Sequence, residues 1–139
     1  MVERTKKYPV KWNVLLAEDD LQARAELLKA LSSVAVCTTV ETGEKALEAY
    51  QKAIKKKKPF DFILLDITMP GPDGFEVLRS IRSFEETAKS KPVHPTRIIM
   101  VTAYKDSLME NYNMGWDEFI TKPIETEKLI KRMQALAYR

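Results

Sequence analysis

The sequence predicts a doubly wound α/β domain: a five-stranded parallel sheet in the order 2-1-3-4-5, covered by helices on both faces. Three observations carry that expectation. Short apolar runs and amphipathic segments alternate five times along the 139 residues. The first, third and fourth runs are apolar throughout, as strands buried on both faces must be. Crossovers between parallel strands are right-handed, which puts any ligand outside the carboxyl ends of the strands.

Taken in order, residues 1–10 are polar and read as a disordered lead-in, leaving 11–139 as one domain. Asn13 to Ala17, through Val14-Leu15-Leu16, is the first strand. Leu21, Ala25, Leu28 and Leu31 then recur at helical spacing, with Asp20 as N-cap. Ala35 to Val40 is the second strand. Thr42 caps a helix whose inner face is Ala46, Leu47, Tyr50 and Ile54. Asp61 to Leu65 is the third strand; after the Met69–Asp73 loop, a helix runs from about Gly74 to Phe84 through Phe75, Leu78 and Ile81. The polar stretch 85–95, with Pro92 and Pro95, is a long connection. Arg97 to Val101 is the fourth strand, and a short helix over 107–114 stops at Gly115. Glu118 to Thr121 is the fifth strand, and 125–137 is an amphipathic helix carrying Leu129, Ile130 and Met133.

Bulk composition narrows the function classes. Hydrophobic residues at 45% and charged residues at 31% suit a single buried core and argue against disorder. A net charge of +3 is too mild to imply nucleic acid. The densest basic run, Lys55-Lys56-Lys57-Lys58, ends a helix, where cations favour the dipole and stay solvated. Cys37, the single cysteine, forms no internal disulfide and reads as an inert buried thiol in a strand. No apolar run is long enough to span a bilayer, so the expectation is a cytoplasmic protein without membrane contact.

The chemistry lies at the strand ends. Glu18 and Asp19 follow the first strand, Asp66 closes the third, Thr102 closes the fourth and Lys122 closes the fifth. In the order 2-1-3-4-5 the first and third strands are neighbours, so three carboxylates meet. Two such charges ~4 Å apart repel by roughly 4 kcal/mol at an effective dielectric of ~20. Lys122 offsets part of this, and a hard divalent cation such as Mg²⁺ offsets more. A metal beside a carboxylate invites phosphoryl transfer. Asp66, alone on the central strand, is the best-placed nucleophile, with the acidic pair left for the metal. Thr102 and Lys122 can each bond a phosphoryl oxygen.

These residues resemble the receiver domain of two-component response regulators over roughly positions 12 to 137. The motifs are Val14-Leu15-Leu16-Ala17-Glu18-Asp19-Asp20, Ile63-Leu64-Leu65-Asp66-Ile67-Thr68-Met69-Pro70 with Asp73-Gly74, Val101-Thr102-Ala103, and Lys122-Pro123. The resemblance implies a flavodoxin-like receiver fold. It makes Asp66 the phosphoacceptor and gives Mg²⁺ to Glu18, Asp19, Asp66 and the backbone carbonyl of Thr68. Thr102 becomes the switch hydroxyl, Lys122 the phosphoryl-binding ammonium, and Phe119 the switch aromatic. Thr68 and Tyr104 occupy positions that tune dephosphorylation, and a bulky Tyr104 is expected to restrict water.

The donor implied is a histidine kinase or histidine phosphotransfer protein, since His94 is a lone loop histidine and the chain offers no other. The output is protein contact through the face built from 107–114, 118–121 and 125–137, which also suits a dimer. The chain is expected to be a regulatory module, not an enzyme, though one that assists its own phosphorylation and dephosphorylation. The 85–95 connection and the Asp73-Gly74-Phe75-Glu76 helix start resemble receivers of hybrid histidine kinases. A free-standing regulator is the other reading. Pro72, Trp116 and the long connection depart from the commonest pattern without touching the chemistry. The alternative is an aspartate-nucleophile phosphatase of the haloacid dehalogenase type. Such enzymes carry a second Asp two residues after the nucleophile, where this chain has Thr68.

Overall fold

The runs that read as strands do pair, all in parallel, in a sheet ordered β2-β1-β3-β4-β5. The computed structural model describes residues 11–88, 95–103 and 115–138. Within them the strands are β1 (Trp12–Ala17), β2 (Ala35–Val40), β3 (Phe62–Asp66), β4 (Arg97–Thr102) and β5 (Glu118–Thr121). The helices are α1 (Leu21–Leu31), α2 (Gly43–Lys55), α3 (Gly74–Thr87) and α4 (Thr126–Ala137). The expected helix over 107–114, the lead-in over 1–10, Tyr104 and His94 lie outside the described residues.

Strand side chains alternate between two cores. Leu15, Ile63, Leu65, Ile98 and Met100 face α2 and α3, where they meet Ala46, Tyr50, Leu78 and Ile81. Val14, Leu16, Phe62, Leu64 and Ile99 face α1 and α4, where they meet Leu27, Leu31, Leu129 and Met133. Burial on both sides explains why residues 14–16, 62–65 and 98–101 are apolar throughout, the polar Asn13 and Arg97 standing at the strand starts. The helix starts are set by side-chain caps: Asp20 Oδ2 accepts from Ala23 N at 2.8 Å and Thr42 Oγ1 from Lys45 N at 3.1 Å. At α3, Asp73 Oδ1 accepts from Glu76 N at 2.9 Å.

The structure amends three expectations. α1 forms, but it buries Leu27 and Leu31 while Leu21 and Leu28 stand 71% and 37% exposed. The four leucines share one stripe of the helix, and the edge carrying Leu27 and Leu31 turns inward while the edge carrying Leu21 and Leu28 faces solvent. α3 runs on to Thr87 instead of ending near Phe84. Glu85, which looks like loop polarity, is buried and satisfied: Oε1 accepts from Arg82 Nη1 at 2.7 Å and Oε2 from Thr96 N at 2.9 Å. Cys37 is only half-buried, on the outer strand β2. Strand ends move by one residue, within ordinary boundary variation.

The lysine run does end a helix in solvent. Lys57 N donates to the Ile54 carbonyl and Lys58 N to the Ala53 carbonyl, both at 3.0 Å, closing a Schellman motif with Lys57 at φ 60°. Among the described residues no helix is long and apolar enough to cross a membrane.

Candidate functional site

Register alone brings the polar residues together. Ala17 lies beside Leu65, Asp66 beside Val101 and Thr102 beside Thr121, so the residues ending or following β1, β3, β4 and β5 share one sheet edge. Backbone bonds carry the alignment past the strands. Glu18 N donates to the Val40 carbonyl at 3.0 Å, Ile67 N to Val101 at 3.0 Å and Lys122 N to Thr102 at 2.7 Å. The Lys122–Pro123 peptide bond is cis.

Glu18, Asp19 and Asp66 each offer a carboxylate oxygen within 4.8 Å of the others. Glu18 and Asp66 are buried at 1% and 6% exposure, whereas Asp19 faces solvent. Each buried carboxylate has both oxygens engaged. Glu18 Oε1 accepts from Lys122 Nζ at 2.6 Å and Oε2 from Asp20 N at 3.2 Å. Asp66 Oδ2 accepts from Lys122 Nζ at 3.2 Å and Oδ1 from Thr68 N at 3.0 Å. Lys122 therefore bridges the two acids. Thr102 is fully buried at the end of β4.

The charges answer to this geometry. Burial pushes the Glu18 carboxyl above its ordinary value and neighbouring Asp66 adds to the push, while Lys122 and the Asp20 N–H restrain it. Burial alone would lower Lys122. The hydrogen bond to Glu18 and the charges of Asp66 and Glu18 outweigh it, so the ammonium is held above its ordinary range. A hard divalent cation fits this donor set: three converging carboxylates, two of them in a shielded site whose repulsion Lys122 offsets only in part.

Two features that hold the site were not anticipated. Arg24 Nη1 donates to the Glu18 carbonyl at 3.3 Å and lies 3.7 Å from Glu41 Oε1, linking α1 to the β1 and β2 ends. Glycines let the acidic loop close. A Cβ on Gly74 would sit 2.6 Å from the Asp66 carbonyl oxygen, and one on Gly43 would overlap the Pro72 carbonyl. Gly43 directly after the Thr42 cap was the available signal, since nothing local demands glycine at a first helical position. Phe119 is half-buried on β5, and Trp116 is buried.

The sequence model of the family described as "Response regulator receiver domain" matches residues 14–134. The chain belongs to that family. Receivers are regulatory domains phosphorylated on an aspartate in two-component signalling. The transcriptional regulatory protein CiaR of Streptococcus pneumoniae is 33% identical to this receiver over 129 residues, covering 91% of the chain and 51% of CiaR. The protein named "Probable histidine kinase 2" of Oryza sativa is 30% identical over 136 residues, 89% of this chain but 13% of the kinase. A chain of the co-crystal structure of Saccharomyces cerevisiae Ypd1, a histidine phosphotransfer protein, with the receiver domain of Ssk1 superposes at a TM-score of 0.74. That match is 25% identical and covers 89% of this chain and 87% of that one. The receiver spans about half the length of the curated regulators it matches. The haloacid dehalogenase-type phosphatase finds no support in these likenesses.

Proposed function

We propose that Asp66 is the phosphoacceptor of this receiver and that the phosphoryl group comes from a phosphohistidine on a partner. The observation that carries this is the bridging ammonium. Lys122 Nζ contacts both Asp66 Oδ2 and Glu18 Oε1, so the acceptor carboxylate lies inside an electrostatically prepared site. In the transfer an Asp66 oxygen forms the new P–O bond as the P–N bond breaks, and the electron pair leaves with the imidazole. Lys122, protonated at neutral pH, holds one phosphoryl oxygen and the Thr102 hydroxyl donates to another. Hydrolysis by water returns the carboxylate and free phosphate, a decay the domain assists through the same residues.

Glu18, Asp19, Asp66 and the Thr68 carbonyl would hold Mg²⁺, whose chemical contribution is to neutralise charge on the phosphoryl oxygens. Thr68 and Tyr104 set the decay rate, with Tyr104 limiting water. Replacing Tyr104 with alanine should therefore speed loss of phosphate, and an unchanged lifetime counts against that role. Phosphorylation turns the Asp66 carboxylate into an acyl phosphate of roughly −2 charge, whose oxygens draw in Thr102 and move Phe119. That biases β5 and α4, with the segment 107–114 that the sequence assigns to the same face, for partner binding or dimerisation.

The donor is a histidine kinase or a phosphotransfer protein of the Ypd1 kind, and the setting is cytoplasmic. The receiver serves either as part of a hybrid kinase or as a free-standing regulator; it covers 13% of the rice kinase and 51% of CiaR. Incubation with Mg²⁺ and acetyl phosphate, followed by intact mass measurement, tests the acceptor. Wild type should gain one phosphate and Asp66→Asn none. An adduct on both proteins defeats the assignment.

A further inference from the structure

The sequence left Trp116 without a role, and the structure gives it a distinctive mounting. Its indole lies 5.7 Å from the Phe119 ring on β5 and 6.1 Å from the Phe75 ring on α3, tilted 56° and 46° respectively. The backbone on either side of it is clamped. The Gly115 carbonyl accepts from Arg82 Nε at 2.8 Å. Asp117 N donates to the Ile98 carbonyl at 2.8 Å, and Asp117 Oδ2 accepts from Ile98 N at 2.8 Å and Arg82 Nη2 at 3.0 Å. The indole is thereby held from α3 and from β4 at once, and Phe119 rests against a fixed wall.

The other end of the row is tied to the acidic site. Phe75 follows Gly74, whose N–H donates to the Ile67 carbonyl at 2.9 Å and whose Cα packs against the Asp66 carbonyl too closely to admit a Cβ. Phe75, Trp116 and Phe119 thus form a continuous aromatic path from the backbone of Asp66 to β5.

We propose that Trp116 is a positioning residue for Phe119, transmitting the state of the Asp66 site to β5 through the Phe75–Trp116–Phe119 row. The inference rests on Asp66 being the acceptor. Tilted aromatic pairs of this kind bias a two-state population by roughly 2- to 12-fold, enough to set how far Phe119 responds to phosphorylation.

The chain has two tryptophans, so a Trp12→Phe background leaves Trp116 as the sole indole emitter. In that background, Mg²⁺ and acetyl phosphate should change Trp116 emission in step with the phosphate adduct measured on the same sample by mass. Asp66→Asn should abolish both. NMR of the Phe119–Thr121 amides supplies a second readout. Their shift on phosphorylation should shrink at least 2-fold in Trp116→Ala and recover in Trp116→Phe. An adduct with unchanged emission, or amide shifts indifferent to Trp116→Ala, would overturn the inference while leaving Asp66 as acceptor. Failure to form any adduct would overturn both.

Discussion

The Lys122 ammonium lies 2.6 Å from Glu18 Oε1 although 104 positions separate the two residues, and Glu18 is the more deeply buried partner. The lysine thus neutralises an acid that the fold has already removed from water. Replacing Lys122 with methionine keeps the apolar stem and strips the charge, leaving Glu18 and Asp66 facing each other. In the absence of divalent cation this should cost about 1–3 kcal/mol, since an engaged buried group loses its partner. Mg²⁺ should then stabilise Lys122→Met more than wild type, because the ion no longer competes with an ammonium for the same oxygens. Urea midpoints with and without Mg²⁺ measure this. Equal gains in the two proteins would mean that Lys122 and the ion do not share the carboxylates.

Gly43 begins α2 with its Cα against the Pro72 carbonyl, and its N–H points to the Pro70 carbonyl at 3.4 Å. In an open helix Gly→Ala is favourable by roughly 0.5–1 kcal/mol. Here the sign should reverse, because the added methyl must push the 70–72 loop away. Gly43→Ala is therefore expected to lower stability and also to weaken Mg²⁺ binding, as the displaced segment begins two residues after Thr68. Calorimetric titration with the ion is the check. Unchanged affinity together with raised stability would mean that the loop accommodates the methyl freely.

The strands, and the meeting of the residues that follow them at one sheet edge, were legible because the apolar runs are a short-range pattern and the crossover rules supply the order. Each apolar run sits one or two positions before its polar residue, and parallel register does the rest. Contacts between distant segments were not legible. The inward face of α1 could not be read from the leucines alone, since exposed Leu21 and Leu28 share one stripe with buried Leu27 and Leu31, and the end of α3 was hidden because Glu85 is buried only by virtue of Arg82 and Thr96. Gly43 and Trp116 are of the same kind: their reasons are Pro72 in one case, and Phe75 with Phe119 in the other.

Lys57 holds the left-handed position that closes α2, at φ 60°, a conformation that costs an L side chain roughly 1–2 kcal/mol. Its side chain is exposed, so deleting it removes little packing. Lys57→Gly should raise stability by about 0.5–1 kcal/mol after the greater freedom of glycine in the unfolded chain is subtracted. A thermal midpoint that falls instead would show that the lysine earns its place through charge.

Tyr50 is buried, with its ring 5.7 Å from Phe84 in an edge-on contact. Burial, reinforced by the charge of Glu85 and opposed by Arg82, pushes its phenol up to about 12. A phenol in the unfolded chain titrates near 10. The folded state therefore holds this proton more tightly than the unfolded state. Its stabilising effect is complete below pH ~10 and disappears as pH rises through about 12. Over that window wild type should lose about 1–3 kcal/mol more stability than Tyr50→Phe, while below it the two proteins should show parallel pH profiles. Alkaline difference spectra supply an independent reading, since Tyr50→Phe should remove the late phenolate signal. A Tyr50→Phe protein that destabilises as steeply as wild type between pH 10 and 12 would place the titration elsewhere.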